Sequence, residues 1–112
     1  MGSIVLKLNP QKLTNPDVDL RYFIPNKIAE LTLGKIADNG YDYLDDEVSS
    51  MAIFLKSSSP KEDIISIFEI LKNNSFKGNQ IYEASEIFFS DKTDEELDAC
   101  NYDLSIYEQF EK

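Results

Sequence analysis

Met51-Ala52-Ile53-Phe54-Leu55-Lys56, then Ser57-Ser58-Ser59-Pro60-Lys61-Glu62-Asp63, then Asn79-Gln80-Ile81-Tyr82-Glu83-Ala84-Ser85-Glu86-Ile87-Phe88-Phe89: these runs, within Ser50–Phe89, decide the fold. Met51–Leu55 is apolar, short and bounded by serines, which suits a buried strand. Ser59 stands where a hydroxyl caps a helix, Pro60 fits the first helical position, and Glu62 is spaced to bond back to the cap. Ile64, Ile67, Phe68 and Leu71 recur at helical spacing, with Ile65 and Ile70 widening the stripe, so this helix should lie on a sheet. Asn73-Asn74 and Gly78 end it. Ile81–Phe89 then reads as one further strand, and the whole stretch as strand, helix, strand.

Upstream, Ile4-Val5-Leu6-Lys7-Leu8 forms a first strand that stops at Asn9-Pro10, and residues 11–17, with a second Asn-Pro, read as loop. Leu20, Phe23, Ile24, Ile28 and Leu31 approximate a helical stripe behind Asp19. Pro25 lies inside that stripe, removes an N–H and clashes with the preceding turn, so the helix is expected to be broken there. Gly34 supplies its C-cap. Asp38-Asn39-Gly40 is a turn-favouring run. Tyr41-Asp42-Tyr43-Leu44 alternates as a half-buried strand does, Asp45-Asp46-Glu47 makes a bend, and residues 41–56 close as an antiparallel hairpin.

Downstream, Thr93 and Glu96 have capping-box spacing while Tyr102, Leu104 and Ile106 alternate, which predicts a helical turn at 94–98 followed by a last strand. Strand, helix, hairpin, helix, strand is the split βαβ order. The expected fold is therefore α+β: a ferredoxin-like split βαβ sandwich, one domain over 1–112, its antiparallel sheet covered by two helices on one face and open on the other.

Across its 112 residues the chain carries a net charge of -10, and that charge is uneven. Residues 37–47 hold five acids and no base, and residues 79–112 hold ten acids against two lysines. Such a field repels phosphate backbones, which argues against nucleic acid, and draws in basic proteins or cations. Solvated acidic surface is the plain alternative for any single carboxylate.

Histidine is absent from the sequence, which removes the commonest base near neutral pH, the Ser-His and Cys-His pairs, and most zinc and copper sites. Cys100, the one cysteine, sits near Asp98 and Asp103, whose charge would raise its thiol pKa. Carboxylate pairs could serve as acid and base, but these acids gather at predicted turns instead of converging on one pocket. Asp38, Asp42, Asp45 and Asp46 miss the EF-hand spacing, since Gly40 precedes Asp42. Gly2, Gly34, Gly40 and Gly78 form no phosphate loop. No cofactor or metal is expected, and the chain reads as a binding protein, not an enzyme. With no apolar leader and no long apolar run, a cytoplasmic location is the default expectation.

Tyrosine beside carboxylates gives an interface both an anchor and a steering charge. Tyr41 and Tyr43 flank Asp42, and Tyr102 and Tyr107 adjoin the second acidic block. The expected partner-binding set is Tyr41, Asp42, Asp45, Asp46 and Glu47 with Asp94, Glu95, Glu96 and Asp98.

Asp19-Leu20-Arg21-Tyr22 with Pro25, then Asn39-Gly40-Tyr41-Asp42-Tyr43, then Met51-Ala52-Ile53-Phe54-Leu55, together resemble small acidic bacterial immunity proteins. Those are encoded beside toxins of contact-dependent inhibition and related polymorphic systems. The resemblance implies an inhibitor that binds a cognate toxin domain and occludes its active site or substrate groove. A basic nuclease would suit the charge. The alternative is a stand-alone ferredoxin-like regulatory or ligand-binding domain that self-associates through its open sheet face.

Overall fold

A computed structural model describes residues 2–13, 15, 19–43, 47, 50–76, 78–90 and 108–110, with the backbone alone at Asn39 and Asp42. The fold is α+β. Strands β1 (Gly2–Leu8), β2 (Ile36–Tyr43), β3 (Met51–Ser57), β4 (Ser85–Ser90) and β5 (Glu108–Phe110) form one sheet in the order β2-β3-β1-β4-β5, with every neighbouring pair antiparallel. The helices are α1 (Leu20–Leu31), α2 (Pro60–Asn73) and a single-turn α3 (Ile81–Ala84) that leads directly into β4.

Strand alternation explains why the core lies where it does. Ile4, Leu6 and Leu8 of β1 share a face with Met51, Ile53 and Leu55 of β3 and with Ile87 and Phe89 of β4. Against that face pack Leu20, Ile24 and Ile28 of α1 and Ile64, Ile67 and Leu71 of α2. Fully burying such side chains contributes about 1.5–3 kcal/mol each, so this layer dominates the fold's stability. The opposite face was expected to be open, with tyrosines and phenylalanines lying across it or covered by the tail; there Val5, Ala52 and Phe54 are buried as a second small cluster, with Phe88 against it. Polar Lys7 and Glu86 pair across the strands beside them.

Four local expectations are corrected. The first helix is not broken at Pro25: α1 runs uninterrupted from Leu20 to Leu31, and the proline ring is buried within it. Packing of Leu20, Ile24 and Ile28 on the sheet outweighs one missing backbone bond. Asp38-Asn39-Gly40 does not separate a helix from a strand. It is a bulge inside β2, marked by a register shift between Asp38 and Tyr41. The Gly40 N–H donates to Asp38 Oδ1 at 2.9 Å and Gly40 takes φ +96°, so the turn chemistry operates within the ladder.

Ile81–Ala84 is helical, not the first half of a strand, because Ile81 and Ala84 bury one side of a single turn. The Ser85 hydroxyl donates to the Tyr82 carbonyl as β4 begins. Lastly, α2 starts at Pro60 as expected, but the Ser59 side chain makes no capping bond. Its backbone N–H donates to Ser57 Oγ, and the Ser57 hydroxyl donates to the buried Asp63 carboxylate. Lys35 Nζ completes this group at 2.9 Å from Asp63 Oδ1, tying the entry to β2 onto α2.

The helical turn expected at 94–98 and the alternation of Tyr102, Leu104 and Ile106 lie outside the described residues. The last strand that is described, β5, comes later, at Glu108–Phe110, and pairs with β4. Asn79 pins the remaining loop. Fully buried, it accepts the Asn15 N–H at 2.7 Å and donates to the carbonyls of Asn15 and Phe76 at 2.8 and 3.0 Å, filling the role of a missing strand partner. No described helix is long and apolar enough to cross a membrane.

Candidate protein-interaction site

Residues two apart on one side of the bulge share a face, and Tyr41 and Tyr43 do so at the outer strand β2. Their rings meet edge to face with centroids 6.1 Å apart. The first turn of α1 brings Tyr22 to the same place, its ring 5.8 Å from Tyr41 at 81°. Hydrogen bonding with Tyr22, with burial second, raises the Tyr41 pKa above its ordinary value.

Arg21 closes the group. Its guanidinium carbon lies 4.9 Å from the Tyr22 ring centre and 4.8 Å from that of Tyr41, both within cation–π range. Burial pulls the guanidinium pKa down, but a hydrogen bond to Tyr43 and the surrounding phenols outweigh it and hold Arg21 above its usual value. Its Nε is buried with no hydrogen-bond partner. The ring faces pack against the guanidinium of this half-buried side chain. Tyr22 and Tyr43 remain 47% and 43% exposed, so the cluster shows two aromatic edges to solvent around a fixed cation.

Of the residues expected to bind a partner, Tyr41 is in this cluster. Asp42 follows it at the β2 position paired with Ala52. Glu47 is an exposed turn residue. Asp45, Asp46, Asp94, Glu95, Glu96 and Asp98 lie outside the described residues. Arg21 and Tyr22 were not in the expected set. A signal for them existed: an Arg-Tyr pair opening a helix, with a Tyr-x-Tyr on the strand that follows it, places a cation and three rings where helix and strand ends meet.

The arrangement suits recognition more than turnover. Tyrosine rings with their hydroxyls and a permanently protonated guanidinium offer hydrogen bonds and flat apolar surface at neutral pH. Among the described residues no group of three or more Cys, Asp or Glu is placed to hold a metal ion. Comparison of the chain with models of known protein families, with curated proteins and with solved structures gives no match in any of the three.

Proposed function

We propose that the chain is an immunity-type inhibitor: a small acidic protein that binds a cognate, basic toxin domain and occludes its active site or substrate groove. The observation that carries this reading is the cluster of Tyr22, Tyr41, Tyr43 and Arg21 at the end of β2, where the strand runs into the acidic 42–47 stretch. Tyrosine and arginine are the side chains that most often carry binding energy at protein interfaces. Carboxylates beside them accelerate encounter with a cationic groove and make it sensitive to salt. The net charge of -10 favours a basic partner over nucleic acid.

The frame in this proposal is ferredoxin-like with a fifth strand appended. Two features support it: β4-β1-β3-β2 run in that order within the antiparallel sheet, and α1 and α2 share one face. Self-association through the other face has Val5, Ala52 and Phe54 against it, since they are already buried.

The test is co-purification, at low salt, with the protein encoded immediately upstream, followed by single substitutions. Tyr22→Ala or Tyr43→Ala should weaken the complex by at least about tenfold, roughly 1.4 kcal/mol, with the fold retained by circular dichroism. Failure to form a complex, or to protect cells from that protein, would reject the reading.

A further inference from the structure

We infer that Asn39 is a site of spontaneous deamidation, its carboxamide lost as ammonia to leave aspartate or isoaspartate within β2, and that Asp38 restrains the reaction. Of the eight asparagines in the sequence, Asn39 alone is followed by glycine. The nucleophile is the backbone nitrogen of the following residue, and glycine, having no side chain, leaves that nitrogen least hindered. Asn9 and Asn15 precede prolines, whose nitrogen has no proton to lose. Asn26 lies inside α1, and the nitrogen after Asn73 is bonded to the Ile70 carbonyl at 3.1 Å. Asn79 is fully buried, with its own side chain bonded to Asn15 and Phe76.

The bulge releases this one dipeptide from the ladder. Strand β2 ends the sheet order, and its pairing with β3 passes from Asp38 with Leu55 to Tyr41 with Ile53, so Asn39 and Gly40 together stand against Phe54. Gly40 is exposed, and a Cβ built on it would meet nothing within 4 Å beyond its chain neighbours. Its N–H has one partner, Asp38 Oδ1 at 2.9 Å. A carboxylate in that position stabilises the protonated amide and repels the anion that must form for attack. Asp38 therefore slows a reaction that the bulge otherwise permits.

The chemistry needs only base and water. Once the Gly40 N–H has given its proton to solvent base, the nitrogen attacks the side-chain carbonyl carbon of Asn39; a succinimide ring closes, and the carboxamide nitrogen takes up a proton and leaves as ammonia. Water then opens the ring at either carbonyl, giving aspartate or, at the other, isoaspartate, whose main chain runs through the former side chain. Either product adds a negative charge to residues 37–47, which already hold five acids and no base. Isoaspartate also lengthens the main chain inside the bulge, two residues before Tyr41, and so shifts that ring against Arg21 and Tyr22.

Incubation of the purified full chain at neutral pH and body temperature, followed by peptide mapping in a mass spectrometer, tests this without any knowledge of a toxin. The exchange of NH2 for OH should appear at Asn39 before any other asparagine. Asp38→Ala should speed it by about three- to tenfold, and Asp38→Asn, which keeps an acceptor oxygen without the charge, by less. Circular dichroism checks that both variants stay folded, and Asn39→Gln, whose longer side chain closes the ring poorly, should stop the reaction at this position. A chain in which another asparagine reacts first, or in which Asn39 stays intact, overturns the inference. So do folded Asp38 variants that react no faster than the parent chain.

Discussion

At the scale of single residues, close approach and ionisation make the sharpest claims. Gly2 opens β1 where a Cβ would lie 2.3 Å from Pro60 Cγ and 2.5 Å from the Ser90 carbonyl oxygen. Backbone cannot move aside there without disturbing both β4 and the start of α2. Gly2→Ala should therefore cost about 1–3 kcal/mol, seen as a lower urea midpoint with an unchanged slope. An unaltered midpoint would mean that this end of β1 is not seated between them. Two groups with raised pKa give a pH dependence of definite sign. The Lys35 ammonium is raised from 10.5 by its hydrogen bond and charge pairing with Asp63, and Tyr41 from 10.0 by its bond to Tyr22 and burial. In both, folding favours the protonated form, so their contribution is complete below those ordinary values and is lost as pH climbs through the folded ones. Urea midpoints should fall above about pH 10, and Lys35→Met with Tyr41→Phe should flatten that fall. An equally steep fall in the double variant would place the alkaline sensitivity elsewhere.

Single elements show where sequence patterns carry structural meaning and where they stop. The apolar run of β3 and the stripe of α2 were legible because both faces of β3 and one side of α2 are buried, and burial is what periodicity records. The start of α2 was legible for partly the wrong reason: Pro60 begins it, but Ser57 and Asp63 hold the turn that Ser59 was expected to cap. Pro25 misled because a local penalty was weighed without the tertiary packing of its neighbours, and Gly40 because a turn and a bulge use the same residues. Ile81–Ala84 alternates well enough for a strand; only its buried pair, three residues apart, distinguishes a helical turn. At the end of α1, glycine was expected to take the left-handed cap, and leucine takes it. Leu33→Gly should accordingly stabilise the folded chain by roughly 0.5–1 kcal/mol in denaturant titration, and a loss of stability would show that Leu33 packs within its own molecule.

Across the whole molecule, the layered plan was readable and the binding face only in part. A sheet with two helices on one side follows from the order and faces of the elements, and it was visible in the sequence. Burial of Val5, Ala52 and Phe54 on the far side was not, because alternation tells which residues share a face and nothing about what covers it. The candidate site was half legible: Tyr41 was named from its acidic neighbours, whereas Arg21 and Tyr22 join it through a contact between α1 and β2 that shows in the sequence only when the Arg-Tyr pair and the Tyr-x-Tyr of two separate elements are read together. The most direct test of the proposed role is amide hydrogen exchange on the chain alone and mixed with the protein encoded upstream. Slowed exchange concentrated at residues 20–23 and 41–43 is the result this account predicts. Binding without protection there, or protection confined to other elements, would contradict it.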